Sequence, residues 1–452
     1  MTLTKDISFY KSIFKISLPI ATQNLITFAI SLADTMMVGK LGEISLSACA
    51  ISNNIFFILA VIIFGVGSAS SVMGAQYFGK KDIISIHKIM SIMYRICFFL
   101  ALIFTFISYV FAKNLISIFT DDVLVINEGV RYLKIISLGY IFYAITNCTI
   151  IILRSVKTIK ISLLVYGIAL IVNIFLNWVL IFGKLGFPPL GITGAAIATI
   201  FSRICELIVV LIFMFKFEKK INFKIKFLKF LDKPILNDFI KVSTPIILNE
   251  MFWSIGSSMI CIIVSRMGTK IVAANSINNI VNQFATLFIY GLSSASSVII
   301  GNTVGEGENT KVVEYADTIC ILSIFMGALA GITIYILRPF AVNFYNIEND
   351  TKLIASQIML ATSIISVFRA LSSNVLMGVL RGGGDNRFAF LIEMLCLWCF
   401  SIPLGFISAF ILNLPIFWVF IIIRSDEVLK SIIGFIRVTK GNWINNVTRD
   451  IN

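Results

Sequence analysis

The chain has 452 residues, of which 58% are hydrophobic and only 13% are charged, and its formal net charge is +14 at pH 7. Soluble globular domains carry about 25% charged residues, and no water-soluble fold buries this much apolar surface. The composition therefore excludes a soluble enzyme. It predicts an all-α polytopic membrane protein, because the apolar runs exceed the roughly 18 residues that a spanning helix needs.

The apolar runs, taken in chain order, predict twelve transmembrane helices, six in each half of the chain. Their approximate spans are 13–38, 46–74, 89–112, 132–153, 161–182, 191–215, 243–265, 272–302, 316–337, 354–378, 388–411 and 415–436. The last helix is the least regular, because its apolar run after Pro415 is too short to span the membrane alone. Four charged residues interrupt it: Arg424, Asp426, Glu427 and Lys430.

The two halves are internal repeats of each other. Residues 17–82 align without a gap with residues 243–308 at a constant offset of 226, and 17 of the 66 positions are identical. Further along, Arg154 aligns with Arg381 at an offset of 227, which one inserted residue explains. An even number of helices in each repeat makes the repeats parallel, related by an axis along the membrane normal.

The distribution of positive charge predicts the orientation in the membrane. Loops and tails on the side of the N-terminus hold 24 Lys and Arg residues, whereas the opposite loops hold 9. The acidic loop at 305–317 is an exception on the first side. By the positive-inside rule, both termini of this multi-pass protein are cytoplasmic, and we expect it in the plasma membrane.

A basic segment with eight Lys separates the two repeats. We predict a domain order of an N-terminal six-helix bundle (1–215), a basic cytoplasmic linker (216–242), a C-terminal six-helix bundle (243–436) and a cytoplasmic tail (437–452). The linker is long enough to lie along the anionic inner leaflet, although a purely topogenic role is the simpler interpretation. Either role explains the positive charge without nucleic acid as a partner.

Asp34, within the first predicted helix, is the first candidate for chemistry. A charged side chain at the centre of a membrane helix costs about 2.5 to 3.5 kcal/mol on insertion scales, so its presence demands a reason. Loss of water favours the neutral form of a carboxyl group, so Asp34 is suited to take a proton near neutral pH. In its ionised form it is suited to hold a small cation with help from other oxygens. An Asp that caps a helix end is the structural alternative.

Asn173 and Asn177 lie one turn apart on the fifth predicted helix and share a face. In lipid, two amides on one face need partners, either on another helix or in a bound cation. With Asp34, they form our predicted cation-coupling set. Hydrogen bonding between helices is the alternative role for each amide.

Three residues of the second repeat are our candidates for substrate binding. Glu250 and Trp253 lie early in the seventh helix, and an acid close to aromatic side chains suits a flat cationic ligand. Arg369 is an intramembrane charge by the predicted spans, as are Glu206 and Glu393, and pairing between helices is the default interpretation for all three.

The remaining polar features are interpreted as structural. Arg154 and Arg381 close matching helices and are expected to be interfacial anchors. Cys396 and Cys399 form a C-x-x-C on a membrane helix, but two ligands are too few for a zinc site. We therefore expect no catalytic residues, no metal and no cofactor.

Several motifs, in this order and across twelve helices in two halves, resemble the multidrug and toxic compound extrusion (MATE) family over nearly the whole chain. They are LPI at 18–20, ADTMMVGKLG at 33–42, NxxxNxxLIFG at 173–183, FPxLGxxGAAIAT at 187–199, LRGGGD at 380–385 and GNWI at 441–444.

The resemblance implies two six-helix bundles around a V-shaped cavity and export of organic cations against an inward flow of Na⁺ or H⁺. It implies that Asp34 is the family's first-helix acid in cation coupling, and that Asn173 and Asn177 are the polar pair of helix five. Glu250 matches the helix-seven acid of NorM-like members with a different spacing from Pro245. The helix-ten acid of that branch is absent, since Ala370 stands near its place.

We therefore predict a secondary active antiporter, not an enzyme, which exports drugs or organic-cation metabolites across the plasma membrane in exchange for H⁺ or Na⁺. A flippase for a lipid-linked oligosaccharide or another lipid precursor is the alternative, and it would need a cavity rich in Arg. The expected partners are small organic cations and the lipid bilayer, with no nucleic acid, and we expect a monomer.

Overall fold

The computed structural model describes residues 3–229, 231–344 and 347–449, which form helices and turns and contain no strand. The α-helices of these residues are α1 (Ile7–Gly39), α2 (Glu43–Gly79), α3 (Ile83–Val110), α4 (Ala112–Ser117), α5 (Val123–Ser137), α6 (Tyr140–Ser155), α7 (Lys160–Phe182), α8 (Gly191–Ile212), α9 (Lys233–Arg266), α10 (Thr269–Gly305), α11 (Asn309–Phe344), α12 (Asn349–Ser373), α13 (Asn386–Met394), α14 (Ile402–Phe406), α15 (Ile416–Ile423) and α16 (Ser425–Thr439).

Among these residues, ten helical runs are long and apolar enough to cross a membrane, and the bent pair α5–α6 brings the number to eleven. The predicted multi-pass helical architecture is thus confirmed. Many large apolar side chains on these helices are exposed, for example Phe106 and Phe325, because the solvent of this surface is lipid.

Two predicted helices are each divided in two. The fourth becomes α5 and α6, whose axes differ by 50°. Their junction includes Gly139, where a Cβ would lie only 3.1 Å from the carbonyl oxygen of Ile136. The last predicted helix breaks at Arg424 into α15 and α16, where Asp426 and Lys430 form a buried ion pair at 2.6 Å one turn apart. Two of the four charges that interrupt the apolar run therefore neutralise each other inside the protein.

The helices of the second repeat contain several wide π-type turns. Residues Asn374–Leu380 continue α12, and Leu395–Ser401 and Ile407–Ile411 flank α14. Pro403 lies in α14 and has no N–H to donate to the preceding turn, which favours the irregular turn before it.

The chain packs into two compact units. Unit 1 contains residues 1–21, 75–81 and 244–452, and unit 2 contains residues 22–74 and 82–243. The first helix of each repeat changes unit beside its proline: α1 does so just after Pro19, and α9 just before Pro245. A proline leaves a backbone carbonyl without its helical donor, so both helices are weakened at the same aligned position.

The predicted linker is partly ordered into helix. α9 begins at Lys233, ten residues before the predicted span, because Asp232 accepts a hydrogen bond from the backbone N–H of Ile235 and Pro234 occupies the first turn. Before it, the carboxylate of Glu218 accepts hydrogen bonds from the backbone N–H groups of residues 220–222.

The residues after α16 pack against unit 1. Trp443 is fully buried, and its indole Nε1 donates to the carbonyl of Val438 at 2.9 Å. The amide of Gln76 donates to the carbonyls of Gly382 and Asn445 and accepts from the N–H of Val447. Asn445 and Val447 of the predicted tail are thus hydrogen-bonded to the end of α2.

Candidate functional site

A cluster of one carboxylate and two amides lies in unit 2. The side-chain amide of Asn177 donates to Asp34 Oδ1 at 2.5 Å and to Asn173 Oδ1 at 3.1 Å. Asn173 is 1% exposed and Asn177 is fully buried. The structure therefore brings together all three residues of the predicted cation-coupling set.

The sequence explains why these three side chains meet. Asn173 and Asn177 lie at positions i and i+4 of α7, so they share one face, while Asp34 lies in the last turns of α1, before Gly39. Both donor hydrogens of the Asn177 amide are used, one on each neighbour. Its buried Oδ1 has no hydrogen-bond partner among the described residues, so the cluster still has acceptor capacity.

Among the described residues Asp34 forms no ion pair, although Arg203 of α8 lies within electrostatic range. Arg203 is bound to Glu206 at 3.2 Å, three residues further along the same helix. Its guanidinium also stacks over the rings of Tyr143 and Phe56, with 4.8 and 5.8 Å to the ring centroids. The expectation that Glu206 pairs between helices is wrong, because Arg203 is nearer on its own helix.

In unit 1, Glu250 forms a buried ion pair with Arg381 at 2.8 Å. The side chains are only 8% and 4% exposed, so the prediction that Arg381 is an interfacial anchor is wrong. Arg154, its counterpart in the first repeat, donates instead to Gln23 Oε1 at 2.7 Å. Both arginines face the interior because a polar side chain near the start of the repeat accepts from them.

A second polar group in unit 1 surrounds Glu393. Its carboxylate accepts from the amide of Asn249 at 2.9 Å and pairs with Lys430 at 3.4 Å. Lys430 in turn pairs with Asp426, which accepts from Ser401 at 3.1 Å. The prediction of pairing between helices is therefore confirmed for Glu393. The sequence signal for this group was the run of charges inside the last predicted helix.

No hydrogen bond or ion pair joins the three predicted substrate-binding residues to one another in the described structure. Glu250 is engaged by Arg381, whereas Trp253, one turn further along α9, is 36% exposed. Arg369 of α12 donates to the hydroxyl of Tyr290 at 2.8 Å. A common role for these three residues stays a prediction.

The comparisons with known proteins agree with this architecture. The sequence pattern of the MatE family matches residues 19–179 and 245–407, one stretch in each repeat. The probable multidrug resistance protein NorM of Thermotoga maritima is 24% identical over 437 residues, which is 96% of this chain and 93% of that protein.

Two solved structures have the same fold. The Vibrio cholerae MATE transporter VcmN in its bent form superimposes with a TM-score of 0.86 at 17% identity, covering 96% of this chain and 97% of that one. A transporter of the MOP superfamily from Pyrococcus furiosus, whose binding pocket is described as having reverse polarity, gives 0.87 at 18% identity, covering 97% and 98%. With its family pattern present in both repeats and the fold shared along almost the whole chain, this protein belongs to the multidrug and toxic compound extrusion (MATE) family of transporters.

Proposed function

We propose that this protein is a secondary active antiporter that exports drugs or organic-cation metabolites in exchange for H⁺ or Na⁺. The observation that carries the proposal is the cluster of the half-buried Asp34 with the buried amides Asn173 and Asn177, whose carboxylate has amide neighbours and no basic partner among the described residues. The names of the curated relatives, probable multidrug resistance proteins, support the substrate class.

The cluster supplies the chemistry that either coupling ion requires. A proton needs one carboxylate oxygen, and Asp34 provides two. A sodium ion, as a hard cation, takes oxygen ligands, which the Asp34 carboxylate and the side-chain oxygens of Asn173 and Asn177 would provide. In both cases the amide donors of Asn177 fix the position of the carboxylate.

Coupling follows if the cluster binds its ion with different affinity in two conformations of the transporter. A ligand shifts a conformational equilibrium only by its differential affinity for the two states. A carboxylate that is wet in one state and dry in the other has such a difference, because burial penalises its charged form. Binding of H⁺ or Na⁺ at Asp34 would then favour the state from which the substrate leaves.

The proposed orientation has both termini in the cytoplasm and the protein in the plasma membrane, because Lys and Arg concentrate on the side of the termini. We propose that it works as a monomer. Since Glu250 is neutralised by Arg381, Asp34 is the residue that we propose for the negative charge toward a cationic substrate or coupling ion.

The test is efflux of ethidium from proteoliposomes with a Na⁺ gradient and a pH gradient imposed separately, for wild type and Asp34→Asn. We expect acceleration by one of the gradients, which names the ion, and loss of this acceleration in the variant. Asp121→Asn is the matched control, since it removes the same charge from an exposed position.

Unchanged gradient-driven efflux in Asp34→Asn would refute the role of this carboxylate. If neither gradient acts on ethidium or on a panel of organic cations, antiport of cations is the wrong function. A flippase of a lipid-linked oligosaccharide or other lipid precursor would then be the function to test, by transbilayer movement of labelled lipid.

A further inference from the structure

The segment between the repeats is fastened to α3 by three side chains of that helix. His87 Nε2 donates to the carbonyl of Ile221 at 2.8 Å, Lys88 pairs with Asp232 at 2.7 Å, and Arg95 donates to the carbonyl of Leu228. His87 also packs against Phe223 and Phe227, with 5.6 and 4.6 Å between ring centroids. The linker therefore packs against α3 through hydrogen bonds, an ion pair and aromatic contacts.

Beside this contact lies an apolar groove of about 380 Å³. One face of α3 forms its floor, and Leu231 and Leu236 close it from the linker and the start of α9. The α3 residues follow helical spacing: Ile92, Arg95, Ile96, Phe99, Leu100 and Ile103. From Ile92 to Ile103 the groove runs about 16 Å along the helix, at 1.5 Å per residue.

The charge around the groove is positive. Arg95 is the one charged residue of the groove's lining. One of its five guanidinium N–H groups donates to the carbonyl of Leu228. The adjoining segment carries eight lysines, all with exposed side chains: Lys216, Lys219, Lys220, Lys224, Lys226, Lys229, Lys233 and Lys241. An apolar slot in a lipid-facing helix with a basic rim is complementary to one acyl chain and its anionic headgroup.

We propose that this groove binds one anionic phospholipid of the inner leaflet. Its acyl chain lies along Ile96, Phe99 and Ile103, and its phosphate contacts Arg95 and the lysines of the adjoining linker. The lipid thereby holds the linker against α3. The proposal rests on the orientation given under the proposed function, and it is independent of the Asp34 cluster.

The test titrates purified protein in detergent with dioleoylphosphatidylglycerol or dioleoylphosphatidylcholine and counts retained lipids by native mass spectrometry. We expect one phosphatidylglycerol to be retained in preference to phosphatidylcholine. Replacing Lys224, Lys226 and Lys229 by Gln together should weaken its binding about ten- to hundredfold, since each lysine near an anionic headgroup contributes about tenfold or less. These lysines are exposed, so the variant should fold.

The matched control replaces Lys40, Lys113 and Lys184 by Gln, which removes the same charge from exposed positions between the predicted spans on the opposite side. Ile96→Trp, which fills the groove without changing charge, should also displace the lipid. Equal retention of both lipids by wild type, or an equal loss in the control, would overturn the proposal. Labelling of Lys229→Cys in intact cells and inverted vesicles tests the orientation separately, so a failure there is distinguishable.

Discussion

The two repeats place an arginine at the same aligned position, half-buried in the first repeat and buried in the second, and give it different partners. In the first repeat Arg154 donates to the neutral amide of Gln23, whereas in the second Arg381 meets the carboxylate of Glu250. Asn24 is the residue that aligns with Glu250, so the first repeat has no acid at this point. The acid of its first predicted span is Asp34, which aligns with Ile260 of the second repeat. The first predicted span of each repeat thus carries one acid, and of these two only Asp34 lacks a basic partner in the described structure.

The two repeats share the residues that shape the backbone but differ in their intramembrane polar groups. Prolines at aligned positions of α1 and α9 and the glycines that end α2 and α10 set the backbone and are identical. The intramembrane charges, in contrast, need only be satisfied locally. In the second repeat they balance one another, which suits a structural role, while Asp34 has no ion-pair partner among the described residues.

The largest effect is expected from Asn177→Leu, because leucine cannot donate a hydrogen bond to the carboxylate of Asp34. The carboxylate loses its amide donor and its fixed position, and outer-sphere partners of a bound cation are typically worth 10- to 100-fold. We expect gradient-driven efflux to fall by about that factor. Asn114→Leu, on an exposed face of α4, is the control, and equal rates in both variants would contradict the prediction.

Replacing Arg381 should lower the free energy of unfolding more than replacing Arg154. Arg381→Met leaves Glu250 buried without its counter-charge and should cost about 3 to 5 kcal/mol. Arg154→Met leaves only the neutral amide of Gln23 and should cost about 1.5 to 3 kcal/mol. Unfolding in mixed micelles with increasing dodecyl sulfate measures both. A larger loss in Arg154→Met would reverse the comparison.

The aligned glycines Gly79 and Gly305 should lower the stability of the protein by similar amounts when each is replaced by Ala. A Cβ at Gly79 would clash with the backbone carbonyl of Asn302, and one at Gly305 with that of Gln76, so each helix end fits against the other only without a side chain. Gly79→Ala and Gly305→Ala should each cost about 1 to 3 kcal/mol by overpacking. Gly167→Ala is the control, because its added Cβ meets nothing within 4 Å. Unaltered melting of the first two variants would rule out this close crossing.

A smaller effect is expected where Gln76 of the first repeat holds the C-terminal segment. Gln76→Ala removes hydrogen bonds of 3.1 Å to Gly382, 3.3 Å to Asn445 and 2.7 Å from Val447. We expect a loss of about 1 kcal/mol and faster proteolysis after Trp443. Asn446→Ala, in the same segment, should leave the rate of proteolysis unchanged. Equal rates of proteolysis in Gln76→Ala and Asn446→Ala would show that Gln76 does not keep the C-terminal segment in place.

The smallest effect concerns the start of α1. Asp6 accepts from the hydroxyl of Tyr315 at 2.6 Å and from the N–H of Ser8, and these bonds lower its pKa to about 2 from an ordinary 3.8. Because the folded-state pKa is lowered, the contribution to stability is present above about pH 4 and is lost as the pH falls toward 2. The melting temperatures of wild type and Tyr315→Phe should differ at pH 6 and converge below pH 4. A constant difference down to pH 3 would contradict this.

Much of the fold was predictable from the amino-acid sequence. Long apolar runs can satisfy their backbone in lipid only as helices, so twelve spans were predicted, and ten helical runs of the described residues are long and apolar enough to cross a membrane. The boundaries were less predictable. α9 begins ten residues before its predicted span, because the helix continues past the membrane as soon as Asp232 caps it, and hydropathy does not register a cap.

The candidate site was predictable in part for a similar reason. Asp34, Asn173 and Asn177 stand out because polar groups in lipid need partners, and the spacing of the two amides fixes a shared face. The sequence does not say which of the intramembrane charges pair with one another. Glu250 and Arg381 are 131 positions apart, and only the packing of α9 against the end of α12 brings them to 2.8 Å.

By itself, then, the sequence determined that this chain is a two-repeat helical membrane protein and which of its residues had to find polar partners, since both follow from the cost of placing polar groups in lipid. The tertiary structure decided which partner each residue found. It left the carboxylate of Asp34 among amides and neutralised that of Glu250, because the free energy of a buried charge depends on neighbours that the folded helices alone bring within reach.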